Sequence, residues 1–300
     1  MQSIDFQSIT IDKVHYSDED IYDVSFSVLR LDKIHPIISG NKWFKLQYYL
    51  EESILQNKQT ILTFGGAYSN HIIATAAVAK QHALKSIGII RGEEPKTLSH
   101  TLLEAKDLGM HLYFISREDY SMKKLPAELK EVKDQFYIID EGGYGKNGMK
   151  GASSIFNLFP SEKYAHLCCA VGTGTMTAGL IAKSSEHQNI TGVSVLKNNR
   201  SIESEIKLLL VDEMQETKWT IIHDYSFGGY AKYNQQLLDF MNEFYRQTNI
   251  PTDFVYTGKL FFTIIDLYKK GYFNKQEELL VIHSGGLQGN RSLEKGSLIF

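Results

Sequence analysis

The chain has 300 residues, enough to bury a sizeable core and, on size alone, to form two domains. Its 43% hydrophobic and 22% charged composition is that of an ordinary globular protein. A net charge of −3 with no dense Lys/Arg run excludes a nucleic-acid backbone or an anionic membrane surface as the expected partner. The opening MQSIDFQSIT carries an acid early and lacks the apolar stretch of a secretory signal, and no run approaches the ~18 apolar residues of a membrane span.

The first helical signal is SGNKWFKL at 39–46, where a small, flexible lead-in precedes Lys42 and apolar positions then recur at helical spacing. By itself this context reads as a solvated first-turn lysine. From about residue 60 onward, short apolar runs rich in β-branched residues alternate with helical patterns. TILTF, SIGII, HLYFI and FYIID form one set of predicted strands; HLCCAV, TGVSVL, WTIIH and LLVIH form a second. Helical stretches such as NHIIATAAVAKQH and EIKLLLVDEM lie between them. The alternation predicts βαβ units, and continuous apolar runs suit strands covered on both faces. The expected fold is therefore α/β, with two open, twisted, mainly parallel sheets flanked by helices and a cleft between them. EGGYGKNGMKG at 141–151 has the most flexible composition and is the candidate crossing between the two sets.

Cys168 and Cys169 are the only cysteines. Adjacent strand residues point to opposite faces, so a disulfide between them would be strained. They are expected to pack in the core of a cytoplasmic protein.

Open α/β sheets bind ligands beyond the carboxyl ends of their strands. That rule singles out three loops. TFGGAYSNH (63–71) runs from strand to helix, with Ser69 or Asn70 as N-cap and free backbone N–H groups behind it. In AVGTGTMTAGL (170–180), Gly172, Thr173, Gly174 and Thr175 combine small residues, hydroxyls and N–H donors at a helix start, the chemistry of a phosphate cradle. No Gly-Lys-Ser/Thr follows, and the glycines at 172, 174 and 179 miss a dinucleotide fingerprint, so a single phosphate monoester fits better. VIHSGGLQG (281–289) ends the last strand in a hydroxyl and two glycines. Tyr230 and Tyr256 each stand at a turn–helix junction. The histidines form no H-x-x-x-H or H-E-x-x-H pair, so no metal site is expected.

GNK at 40–42, GGAYSNH at 65–71, GTGT at 172–175, YTGK at 256–259 and HSGG at 283–286 occur in an order that resembles the 1-aminocyclopropane-1-carboxylate deaminase and D-cysteine desulfhydrase family of fold-type-II pyridoxal-phosphate enzymes. The resemblance runs over nearly the whole chain. It implies pyridoxal 5′-phosphate in an interdomain cleft, between a larger cofactor-binding domain (1–43 plus 156–300) and a smaller α/β domain (44–155). It implies Lys42 as the Schiff-base lysine, with Lys45 and Lys259 as rivals, and Ser69, Tyr230 and Tyr256 as catalytic residues. Asn70 falls near the cofactor ring oxygen, Gly172, Thr173, Gly174 and Thr175 at the phosphate and Ser284 with Gly285 beside the pyridine nitrogen, and Thr257, next to the second tyrosine, is also expected to bind the cofactor.

Two positions depart from the family. Phe44 replaces a common arginine, which brings contacts near the lysine into question, and Ser284 replaces a threonine while keeping the hydroxyl. Ring opening is associated in the family with glutamate after the second tyrosine, and Thr257 stands there. The resemblance therefore implies β-elimination from a small amino acid such as D-cysteine, giving pyruvate, sulfide and ammonia. The cyclopropane deaminase reaction is the alternative, and a catalytically inactive cofactor-binding protein a further one. A homodimer is the family expectation.

Overall fold

The computed structural model describes residues 3–18, 21–210, 217–274 and 276–300. It contains two sheets. The larger holds β1 (Ile11–Asp18), β2 (Ile21–Arg30), β7 (His166–Val171), β8 (Asn189–Ser194), β9 (Lys218–Ile222) and β10 (Leu279–His283), in the order β1-β2-β10-β7-β8-β9. The smaller holds β3 (Thr60–Gly65), β4 (Lys85–Arg91), β5 (Met110–Ile115) and β6 (Phe136–Ile139), in the order β5-β4-β3-β6. Every pairing is parallel except that of β1 with β2. The helices are α1 (Asn41–Leu55), α2 (Asn70–Gln81), α3 (His100–Asp107), α4 (Arg117–Ser121), α5 (Ala127–Lys130), α6 (Lys146–Ser153), α7 (Thr175–Lys183), α8 (Ile202–Leu209), α9 (Gln235–Thr248) and α10 (Thr257–Lys269).

All eight expected strands are present, and β1 and β2 are additional. Much of their sequence is patterned on alternation: Val14, Tyr16, Val24 and Phe26 are buried, while His15 and Ser25 between them are exposed, and only the end of β2, with Ser27, Val28 and Leu29 all buried, is covered on both faces. One covered face gives a period of two rather than an apolar run. β2 then pairs in parallel with the central β10, so the hairpin extends the larger sheet. EIKLLLVDEM begins inside α8, and its end at 211–214 lies outside the described residues.

The glycine-rich 141–151 segment lies between β6 of the smaller sheet and β7 of the larger, and most of it is α6, packed between α1 and α7. A Cβ on Gly151 would fall 1.7 Å from the Phe44 carbonyl oxygen. Glycine here serves close helix–helix approach rather than flexibility. Cys168 and Cys169 are both free and buried, on opposite faces of β7 and in different apolar clusters. Among the described residues no helix is long and apolar enough to cross a membrane, and no cluster of potential metal ligands occurs.

Candidate active site

The carboxyl ends of β3, β7 and β10 converge on a cavity of about 280 Å³, lined from both sheets and from the starts of α1, α2 and α7. The α1 start is set by Gly40, whose φ of 63° combined with a ψ of −137° is a backbone region that glycine alone enters readily, and whose absent Cβ would lie 1.8 Å from the Ser284 carbonyl. The Asn41 N–H donates to that carbonyl at 3.2 Å. The helix carrying Lys42 is thus pinned to the loop after β10.

Lys42 Nζ lines the cavity and donates to Asn41 Oδ1 at 2.6 Å. Burial lowers its pKa to about 8, against an opposing pull from the Asp253 carboxylate. Lys45, one turn on, also lines the cavity, and its Nζ donates to the Gly142 carbonyl at 3.0 Å. Burial and the neighbouring Lys42 charge hold its pKa well below the usual lysine range. Lys259 is outside the lining. Its Nζ donates to the Ser226 and Gly229 carbonyls at 2.7 Å each, bracing the turn that presents Tyr230. Phe44 is also outside: its ring is 1% exposed in the core, edge-on to Phe6 at 6.1 Å. Two residues along a helix turn the side chain to another face, so the missing arginine leaves the wall unchanged.

Ser69 caps α2, its Oγ accepting from the Ile72 N–H at 3.4 Å. Ser69 and Asn70 line the cavity, and Asn70 Oδ1 is buried without a hydrogen-bond partner. Gly172, Thr173 and Gly174 line the cavity where α7 begins. Thr175 is fully buried behind them, its hydroxyl 3.0 Å from that of Thr173. Ser284 and Gly285 close the wall. His283 steadies this loop: its Nε2 is 2.7 Å from the Pro251 carbonyl and its Nδ1 accepts the Gly285 N–H at 3.3 Å.

Tyr230 and Tyr256 both reach the cavity and meet edge to face, with centroids 6.1 Å apart. Burial raises both hydroxyls, Tyr256 well above the ordinary tyrosine value. Thr257 does not reach the wall. It is fully buried, and its hydroxyl donates to Asp253 Oδ1 at 2.8 Å and accepts the Asp253 N–H at 2.7 Å. The same carboxylate accepts the backbone N–H groups of Val255, Tyr256 and Thr257, a cap that aims Tyr256 inward.

The wall also contains Asn41, His71, Arg91, Glu141 and Thr177, none of which was a candidate for the site. Thr63 donates its hydroxyl hydrogen to the Ile139 carbonyl, so His71 Nε2, 2.9 Å away, carries a proton and donates to Thr63. Burial, then Lys45 and Lys42, push the His71 pKa down to about 3, so the ring is neutral. Arg91 ends β4 and Glu141 follows β6, and the strand-end rule applied to those two strands would have found them.

Two mainly parallel sheets with a buried lysine and two glycine-bearing helix starts between them have the architecture of the fold-type-II cofactor enzymes. The chain belongs to the family described as "Pyridoxal-phosphate dependent enzyme", which matches residues 20–285. It is 31% identical over 290 residues to a Thermotoga maritima protein named provisionally as a 1-aminocyclopropane-1-carboxylate deaminase, covering 89% of this chain and 90% of that one. It is 28% identical over 280 residues to the mitochondrial bifunctional D-cysteine desulfhydrase/1-aminocyclopropane-1-carboxylate deaminase of Arabidopsis thaliana, covering 84% of this chain and 70% of that one. A solved structure described as an ACC deaminase homologue superposes with a TM-score of 0.79 at 28% identity, over 89% of this chain and 86% of that one.

The residues present fit the cofactor. The half-buried Lys42 amine of lowered pKa, an orphaned Asn70 carbonyl oxygen and a Gly-Thr-Gly helix start face one cavity, which supplies an amine for the aldehyde and donors for a phosphate.

Proposed function

We propose that the protein is a D-cysteine desulfhydrase-type lyase, converting a small amino acid by β-elimination to pyruvate, ammonia and the leaving group, here sulfide. The carrying observation is the placement of Lys42, Ser69, the Gly172–Gly174 loop, Tyr230, Tyr256 and Ser284 around a single cavity. Lys42 would hold the cofactor covalently, Gly172, Thr173 and Gly174 its phosphate, with Thr175 bracing Thr173 from behind. Asn70 would meet its ring oxygen, and Ser284 with Gly285 its pyridine nitrogen. When bound, pyridoxal phosphate supplies an electron sink for bond cleavage at the substrate Cα.

The remaining work falls to this chain's side chains. The Lys42 amine, with a pKa of about 8, is neutral in a useful fraction at neutral pH and moves a proton at Cα. Ser69 and the free N–H groups at the start of α2 receive the substrate carboxylate. Tyr230 and Tyr256 remain protonated and donate to the leaving group on Cβ. Thr257 acts indirectly, by completing the Asp253 cap under Tyr256.

The reading includes two lobes, 1–43 plus 156–300 and 44–155, closing on the cleft, and a homodimer. A cytoplasmic setting is supported by the two free buried thiols. Cyclopropane ring opening is the second reading, favoured by the Arabidopsis relative whose name carries both activities. A pyruvate-release assay on D-cysteine, L-cysteine, D-serine and β-chloro-D-alanine, run beside a 2-oxobutyrate assay on 1-aminocyclopropane-1-carboxylate, separates them. Release from D-cysteine supports the proposal, turnover of the cyclopropane alone replaces it with the second reading, and release from none leaves a cofactor-binding protein without turnover.

A further inference from the structure

The parallel pairing of β3 with β4 sets Gly65 opposite Ile90. Gly66, the first residue beyond β3, therefore lies beside Arg91, the last residue of β4. The guanidinium lies over the loop leading into α2, its Nη2 3.5 Å from where a Gly66 Cβ would stand. Three residues after Gly66 comes Ser69, the α2 cap, and then Asn70, 8% exposed with its unpartnered Oδ1. Arg91 is held in this direction by the Tyr120 ring, whose centroid is 5.5 Å from Cζ. Tyr120 is itself buried and packed edge-on to Phe64 of β3.

Arg91 also separates the main cavity from a second recess that shares Arg91 and Glu141 and adds Arg117 and Lys123. Lys123 is committed to Asp140 by a 2.7 Å ion pair. Among the described residues, Arg91 makes no ion pair with a carboxylate. A planar guanidinium over an aromatic ring, beside a helix N-terminus and in no ion pair among the described residues, is matched to a carboxylate ligand.

We propose that Arg91 is a specificity-determining residue that binds the α-carboxylate of the incoming amino acid at the cavity mouth, adding a full charge to the neutral donors at the start of α2. This deepens the reading of the Ser69 loop given above and rests on it. Glu141, on the same wall, disfavours a second acid group, so the preferred substrate class is a zwitterion with one carboxylate. Because Arg91 is exposed at the rim, its contribution is screened by salt.

The test is equilibrium binding to the cofactor-loaded protein, followed by the change in its visible band. D-alanine lacks a leaving group, ethylamine lacks the carboxylate, and D-aspartate adds a second one. Arg91→Gln is expected to weaken D-alanine by roughly ten-fold, with Arg91→Lys intermediate and ethylamine unchanged, as for a lost charge at a polar rim. The difference between wild type and Arg91→Gln should shrink as ionic strength rises. Unchanged D-alanine affinity in Arg91→Gln overturns the assignment, as does equal weakening of ethylamine. Loss confined to D-aspartate reassigns Arg91 to a side-chain acid and overturns it too. The band before any ligand is added reports the cofactor site separately: its absence from wild type overturns the function proposed above and this inference together, whereas a normal band with unchanged D-alanine affinity overturns the Arg91 assignment alone.

Discussion

The Lys42 amino group stands 5.9 Å from the centroid of the Tyr256 ring, joining the first turn of α1 to the cap of α10 across the cavity. The two residues are far apart in sequence and are brought together by separate anchors. Gly40 and Asn41 tie the lysine to the loop after β10, while Asp253 gathers the N–H groups of residues 255–257 under the tyrosine. In the proposed reading this sets a base beside a protonated acid, the division that elimination needs.

Tyr256→Phe keeps the ring and removes the acid. It is expected to lower kcat by roughly a hundred-fold, the usual size of a general-acid contribution, while KM changes little. Steady-state pyruvate release checks this, and an unchanged kcat would move the proton to Tyr230.

Cofactor loading is expected to accelerate with pH about a midpoint near 8, because only the neutral Lys42 amine attacks an aldehyde and burial has lowered its pKa to about 8. Below that midpoint the ammonium dominates and loading slows; above it the rate levels off. Stopped-flow absorbance after mixing apoprotein with pyridoxal phosphate reads the profile. A midpoint near 10.5, the ordinary lysine value, would mean a solvated amine.

Phe44→Leu is expected to cost about 1–2 kcal/mol of stability through lost core volume and to leave cofactor affinity within two-fold. Denaturant unfolding and a cofactor titration measure the two effects on the same sample. A large loss of affinity would return Phe44 to the site.

Thr257→Glu sets a second carboxylate against Asp253, which is fully buried. It is expected to destabilise the fold by about 3 kcal/mol or more rather than confer ring opening, because an unpaired charge has no route to water there. Thermal unfolding and the 2-oxobutyrate assay on the cyclopropane substrate decide between these outcomes.

The interior strands were legible because strands covered on both faces must be apolar throughout: HLCCAV and LLVIH match β7 and β10 residue for residue. The β1–β2 hairpin escaped for the same reason in reverse, since over most of its length the buried Val14, Tyr16, Val24 and Phe26 alternate with polar neighbours such as His15 and Ser25. Candidate residues were found where a glycine or hydroxyl loop follows a strand. Arg91 and Glu141 stand at glycine-bearing strand ends too, before Gly92 and Gly142, but a lone charge there looks like an ordinary surface residue. Orientation was not legible at all. Whether Phe44 or Thr257 faces the cavity depends on which neighbours claim each face, the core around Phe6 for one and the Asp253 carboxylate for the other.

The central claim is that Lys42, and neither Lys45 nor Lys259, carries the cofactor. Absorbance after adding pyridoxal phosphate and removing the excess tests it most directly, in wild type and in the three single alanine variants. The account predicts a visible band in wild type, Lys45→Ala and Lys259→Ala and none in Lys42→Ala. A band surviving in Lys42→Ala, or missing from wild type, would contradict it.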